Sequence, residues 1–125
     1  MKEELKKEIE QLIEKLNLNC TIEEFKDYVD WARISHSIIL SEDFMREFHD
    51  RVDWQHISHS QELSEDFIRE FKEKVYWGWI SYRQELSDEF REEFKDKMNY
   101  TEEYSEEVVI EDKYKVKNRF QLMDL

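Results

Sequence analysis

The sequence predicts an all-α protein built as a short α-solenoid of three 23-residue, two-helix repeats. The first observation is internal repetition: segments 31–53, 54–76 and 77–99 are variants of one unit, and the first two agree at 14 of 23 positions, which marks a tandem-repeat architecture. The second is composition, since the 125 residues contain no proline, one glycine and 41% charged residues, a balance typical of helical proteins. The third is the recurrence of apolar residues at helical spacing within each unit.

The first predicted element is an amphipathic helix over residues 2–16. Asn17 supplies its stop, because asparagine tolerates the left-handed conformation at a helix end. We expect residues 1–19 to cap the N-terminal end of the stack, since an end repeat needs a polar outer face. Thr21 and Glu24 then form a capping box that starts a shortened half-repeat. The apolar residues of the first helix are Leu5, Ile9, Leu12, Ile13 and Leu16.

Each repeat unit, within residues 21–100, is predicted to contain two helices. One opens at a serine whose hydroxyl accepts from first-turn amides, followed by two acids that favour the positive helix end. We expect this helix to be the longer one, because Phe44, Phe48 and Val52 form a stripe at i, i+4 and i+8. The shorter helix follows a capping Asp53 and carries a tryptophan and an isoleucine at i and i+3. The capping serines are Ser41, Ser64 and Ser87.

Neither helix can bury its stripe alone, so the units must stack. The stack predicts a continuous apolar seam in which Trp31, Trp54 and Trp77 occupy equivalent buried sites. Residues 101–125 break the pattern with an acidic connector. After it, Val108–Lys117 is rich in β-branched residues and favours a small hairpin, a helix being the alternative.

The repeated phrase is W-x-x-I-S-x-x-Q-x-L-S-E-D-F-I-R-E-F, read between Trp31 and Tyr100. It resembles the short tandem helical repeats of giant-virus proteins and of some phage proteins. The resemblance implies a viral origin and a role in protein interaction rather than a catalytic activity. Unit one departs from the phrase at Ile38 and Ile39, where the other units have Gln-Glu, and unit three departs most.

The net charge of −13 disfavours binding to nucleic acid or to an anionic membrane and suits a basic protein partner. No apolar run is long enough to span a membrane, and the start lacks the apolar stretch of a signal peptide. We therefore expect one cytoplasmic domain over residues 1–125, in the host cytoplasm if the protein is viral. Cys20 is the only cysteine, which excludes an intrachain disulfide.

Catalytic chemistry is not favoured. The serines recur in step with the repeat, whereas a nucleophile is needed only once. His56 and His59 have a spacing that two ligands of one metal can share, but no third ligand follows at helical spacing. Cys20 has no basic neighbour in sequence, and a single glycine excludes a phosphate-cradling loop. We expect no enzyme, no cofactor and no metal site.

Two surfaces are candidate protein-binding sites. The first, the acidic row, is expected to point to solvent along one edge of the solenoid. A regular rank of carboxylates can imitate a nucleic-acid backbone toward a basic protein. The alternative is a solvated face whose acids favour the helix ends. The acidic row consists of Glu42, Asp43, Glu47, Glu65, Asp66, Glu70, Asp88, Glu89 and Glu93.

The second surface, the aromatic patch, lies where unit three departs from the repeat. Aromatic side chains next to an arginine are typical of binding hot spots, and Gly78 permits close backbone approach. The alternative is that the C-terminal segment packs there and uses the rings as core. The aromatic patch consists of Tyr76, Trp79, Tyr82 and Arg83.

These surfaces lead to two main functional hypotheses. The first is a non-enzymatic viral or phage inhibitor whose acidic row binds a host protein with a basic surface. A nucleic-acid-binding defence enzyme blocked by DNA mimicry, as by an anti-CRISPR protein, is the example it suggests. The second is a structural or scaffolding module that self-associates as a homo-oligomer through the aromatic patch or the N-terminal helix. A repeat that binds a small ligand or a metal is a third, weaker class.

Overall fold

A computed structural model describes residues 1–98, and all regular secondary structure in that range is helical. The predicted all-α class is confirmed for this part of the chain, with two helices in each repeat unit. The hairpin expected over residues 108–117 lies outside the described residues, as does the rest of the C-terminal segment. The helices are α1 (Glu3–Lys15), α2 (Phe25–Tyr28), α3 (Trp31–Ser37), α4 (Glu42–Glu47), α5 (Trp54–Ser60), α6 (Glu65–Glu70), α7 (Trp77–Arg83) and α8 (Asp88–Glu93).

Helix α1 forms where its apolar periodicity predicts, and it buries Leu5, Ile9 and Leu12 in the common core. Asn17 adopts a φ of 55°. The Leu18 amide donates to the Ile13 carbonyl at 2.9 Å, the hydrogen bond that closes a helix when a left-handed residue follows it. Within residues 1–98, no helix combines the length and apolar character that crossing a membrane requires.

The predicted N-caps are present. The hydroxyls of Ser41, Ser64 and Ser87 accept from the amides three residues later at 3.0, 3.1 and 3.1 Å. The carboxylate of Asp53 accepts from an amide of α5 at 3.2 Å. At the equivalent position before α7 stands Tyr76, whose side chain makes no capping bond. Helix α7 therefore begins without the side-chain cap that α3 and α5 have.

The serine-capped helices are shorter than predicted, because each contains six residues and the tryptophan helices contain seven. Phe48 is the C-cap of α4, and Val52 lies in the following turn, where its amide bonds the Phe48 carbonyl at 3.0 Å. The indole Nε1 of Trp54 donates to the His49 carbonyl at 2.8 Å, and the bond recurs at 2.9 Å in the units on either side. The indole of the next unit thus occupies a carbonyl that would accept a backbone hydrogen bond if the helix continued.

The core is a ladder of aromatic rings that repeats from unit to unit. Of the three tryptophans that begin the repeat units, Trp77 is buried (8% exposed), whereas Trp31 and Trp54 are half-buried, so the prediction of a buried site is wrong for those two. The three nevertheless occupy equivalent sites, because their ring centroids lie 5.2, 5.0 and 4.9 Å from the matching phenylalanine. Burial of each such ring stabilises the fold by about 1.5–3 kcal/mol. The ring pairs are Trp31–Phe48, Trp54–Phe71 and Trp77–Phe94.

Buried glutamines join neighbouring units. Gln61 Nε2 donates to the carbonyls of Ser35 and Ile38 at 3.0 and 2.7 Å. Its Oε1 accepts from the Leu40 amide at 3.1 Å. Gln84 makes the three corresponding bonds one unit further on, at 3.1, 2.7 and 3.1 Å. The glutamine always reaches backward, so unit one, which follows only a half-repeat, has Ile38 in its place.

Candidate functional site

The acidic row lies on α4, α6 and α8, the serine-capped helices. Each helix contributes three acids of the row and one arginine. The repeat places equivalent carboxylates at equivalent points of successive helices, as the sequence predicts. Their individual contacts, however, divide the row into acids that bind the next unit, acids that pair with an arginine, and acids without either contact.

Two members of the row clamp the next unit rather than pointing to solvent. The carboxylate of Glu42 accepts from the Ser64 amide at 2.7 Å and from its hydroxyl at 2.9 Å. Glu65 accepts the same two bonds from Ser87, at 2.6 and 3.0 Å. The expectation that the whole row faces solvent is therefore wrong at these two positions. The acid that follows the capping serine of one unit lies next to the capping serine of the next unit. Residue spacing within one helix cannot predict a contact between two units.

Glu8 of α1 does for unit one what the repeat glutamates do for the later units. Its carboxylate accepts from the Ser41 amide at 3.0 Å and from the hydroxyl at 2.5 Å. This contact fixes α1 at the N-terminal end of the stack, as predicted for a capping helix. Glu8 cannot be singled out from the sequence, because nothing in the polar face of α1 distinguishes it from its neighbours.

Arginines tie the row together from one unit to the next. Arg46 Nε bonds Glu70 at 2.8 Å, its Nη1 bonds Asp43 at 3.0 Å, and its guanidinium lies 5.4 Å from the Phe67 ring centroid. The bond to Glu70 raises the pKa of Arg46. Arg69 repeats this arrangement with Asp66, Glu93 and Phe90. These arginines hold their carboxylates in fixed positions.

The remaining acids leave the row with an excess of negative charge. Glu47, Asp88 and Glu89 are exposed and make no hydrogen bond or ion pair among residues 1–98. Since each of these helices has one arginine and at least three acids, the edge is net negative even after the inter-unit pairs form. A partner protein would therefore contact a surface of carboxylates at regular positions.

Three members of the aromatic patch, Trp79, Tyr82 and Arg83, lie against one another. The Trp79 and Tyr82 ring centroids lie 5.9 Å apart, and the Arg83 guanidinium lies 5.8 Å from the first and 6.0 Å from the second. Tyr82 and Arg83 are buried, whereas Tyr76 is 50% exposed. The patch is therefore part core and part surface.

A surface groove of about 630 Å³ lies beside the aromatic patch. The exposed Tyr76 and the half-buried Trp79 line it together with Gly78 and Lys74. Units one and two have Ala32 and Gln55 where unit three has the glycine, so the missing side chain widens this groove.

The histidines do not form the pair that their spacing suggests. His56 lies against His36 of the preceding unit, with ring centroids 5.1 Å apart. His59 lies edge-on to Trp79 at 4.4 Å and bonds the Ser60 hydroxyl at 3.0 Å. No group of three metal-binding side chains occurs within residues 1–98. Burial raises the pKa of the Cys20 thiol, with a further contribution from the charge of Glu24, which favours the unreactive thiol.

We expect the purified protein to contain no stoichiometric metal, because two imidazoles facing different neighbours provide too few ligands for a stable site. Elemental analysis of protein prepared without a histidine tag should find less than about 0.1 equivalent of zinc, iron or nickel. A full equivalent that is lost in a His36→Ala, His56→Ala variant would contradict this reading of the histidines.

No family model, no curated protein and no solved structure matches this chain.

Proposed function

We propose that this chain is a non-catalytic binding protein whose acidic row occupies a basic, nucleic-acid-binding surface of a partner protein. The observation that carries the proposal is the regular excess of carboxylates along α4, α6 and α8, each of which has one arginine and at least three acids. A host defence protein that binds nucleic acid, inhibited by a viral or phage product, is the partner that the repeat resemblance suggests. Cytoplasmic action and a basic protein partner belong to the same proposal.

Pre-organisation supports this proposal. The arginine bridges and the serine clamps hold carboxylates of the row in place before any partner arrives. A surface whose charged side chains are already ordered loses less conformational entropy on binding than a set of freely rotating glutamates. Like a nucleic acid, such a surface attracts a basic groove over long range, so association should be fast and sensitive to salt.

Charge reversal tests the proposal without disturbing the fold. The variant leaves the clamping residues Glu42 and Glu65 untouched and changes acids that are exposed or only surface-paired, because such pairs contribute about 0.2–1 kcal/mol. We expect partner binding to weaken by at least about a hundredfold, since like charges then face each other across the interface. Binding to a partner captured from lysate would be measured by calorimetry, with circular dichroism as the folding check. The changes are Asp43→Lys, Glu47→Lys, Asp66→Lys and Glu89→Lys.

A matched control carries the same change in net charge on exposed acids outside the row. It should keep parental binding, and a duplex DNA should compete with the parent protein for the partner. If both variants lost the same affinity for the partner, the effect would come from net charge alone, and the proposal of a specific acidic interface would be contradicted. The control changes are Glu10→Lys, Glu14→Lys, Glu23→Lys and Asp50→Lys.

The aromatic patch supports a second candidate function, a module that self-associates. Tyr76 is half exposed at the edge of the groove beside Trp79, and exposed aromatic rings are common anchors of protein interfaces. Sedimentation would then show a homo-oligomer that persists at high salt and is lost in Tyr76→Ala, Trp79→Ala. A monomer at all concentrations would remove this candidate.

A further inference from the structure

The repeat brings two fixed positions of neighbouring units together on the tryptophan helices. The sixth residue of one unit lies against the third residue of the next, because α3 packs on α5 and α5 packs on α7. At the first boundary this contact joins His36 to His56, with ring centroids 5.1 Å apart. At the second it joins His59 to Trp79 at 4.4 Å. Of these two boundaries, only the first therefore joins two imidazoles.

The distance between the two imidazoles matches that of two ligands on one metal ion. A zinc–nitrogen bond of about 2.0–2.1 Å places the imidazole centroid about 3.2 Å from the ion, so two imidazoles at a tetrahedral angle have centroids about 5 Å apart. The rings of His36 and His56 are tilted by 55° and are not stacked face to face. Rotation about the Cβ–Cγ bond, which is soft in histidine, selects the nitrogen that binds an ion between them.

The backbone beside each imidazole is held by hydrogen bonds. The Ser35 hydroxyl accepts from the Asp53 amide at 3.1 Å, and the Ser35 carbonyl accepts from Gln61 Nε2 at 3.0 Å. On α5, the His56 amide donates to the Asp53 carboxylate at 3.2 Å. An ion therefore meets two ligands whose backbone is already in place, and its binding costs little ordering of the chain.

Both imidazoles can be reached by an ion from solution. His36 is exposed and His56 is half-buried. Each imidazole has two ring nitrogens, so one can bind an ion while the other keeps a hydrogen bond to protein or water. Within residues 1–98, no third histidine, cysteine, aspartate or glutamate joins the pair, so water completes the coordination of the ion.

We propose that His36 and His56 form a binding site for a divalent transition-metal ion, Zn²⁺, Ni²⁺ or Cu²⁺, which links unit one to unit two. Imidazole nitrogen suits these ions, whereas Mg²⁺ and Ca²⁺ prefer oxygen ligands. Two protein ligands hold the ion weakly, so it exchanges with solution and is lost during purification, in agreement with the metal-free protein expected above. The site lies on α3 and α5, apart from the acidic row, and does not depend on the function proposed for that row.

Isothermal calorimetry of the full, untagged chain with Zn²⁺ or Ni²⁺ tests this site. A background of millimolar Mg²⁺ occupies exposed carboxylates, because Mg²⁺ prefers oxygen ligands. We expect one ion per chain, and a loss of affinity of at least about tenfold in His36→Ala and in His56→Ala, since each change removes one of the two ligands. At about ten times Kd, the ion should raise the Tm of the parent by about 5 °C.

His59→Ala is the matched control, because this imidazole lies on the same helix as His56 but faces Trp79. It should keep the parental affinity for the ion and the parental rise in Tm, and circular dichroism should show every variant folded. Absence of saturable binding by the parent, or an equal loss of affinity in His59→Ala, would overturn the proposal. One ion per two chains would overturn it in favour of a bridge between copies.

Discussion

Phe67→Ala is expected to lower the free energy of unfolding by about 3–5 kcal/mol, the usual cost of emptying a large buried aromatic site. Phe67 is fully buried and lies 4.8 Å from the Phe71 ring and 6.0 Å from the Trp54 ring, measured between centroids. Its ring also receives Arg46 of the preceding unit. A loss of this size is a large part of the stability of a small domain, and urea unfolding followed by tryptophan fluorescence would measure it.

Phe71→Ala is the matched comparison. The two phenylalanines are equivalent in the apolar stripe of the sequence, but Phe71 is only half-buried, so part of its site already meets water and the cavity left is smaller. We expect it to cost roughly half as much as Phe67→Ala. Equal costs, or a Phe67→Ala protein as stable as the parent, would contradict the ring ladder.

Gln61→Leu is expected to cost about 3 kcal/mol or more, although it exchanges a polar residue for an apolar one of similar size. The change leaves the Leu40 amide and the carbonyls of Ser35 and Ile38 without their partner inside the stack. Each buried group left unpaired costs about 1–3 kcal/mol. Hydrogen exchange of the Leu40 amide would show the effect at the bond itself, beside the change in urea midpoint.

Gln55→Leu controls for the substitution, because Gln55 is exposed on the same helix region and should change stability by less than about 0.5 kcal/mol. If Gln61→Leu proved as mild as this control, the glutamine would not be joining the units. Ile38→Gln should bring no gain, since no complete unit precedes it to accept the added bonds.

The sequence predicted the local features well because their causes lie within a few residues. The serine caps bond amides three positions later, the capping box of Thr21 and Glu24 closes on itself at 3.0 and 3.2 Å, and Asn17 ends α1. Helix lengths were predicted less well, because α4 ends where the indole of Trp54 binds a carbonyl of the turn. That indole belongs to the next unit.

For the candidate surfaces, too, the sequence predicted the location but not the individual contacts. Repetition alone located the acidic row on equivalent helices and drew attention to the aromatic residues of unit three. It could not separate Glu42, which clamps Ser64, from Asp43, which pairs with Arg46 on its own helix. Neighbouring acids in one sequence pattern face different surroundings once the units stack.

What the sequence by itself determined is the repeat, its period, its caps and the apolar stripe that forces the units together, since these follow from spacing within one unit. Only the tertiary structure decided which polar side chains join units. Gln61 reaches residues 26 and 23 positions earlier, and Glu42 meets a serine 22 positions later. Such bonds depend on the rise and rotation between stacked helices, and those are set by how the buried rings pack rather than by any local residue preference.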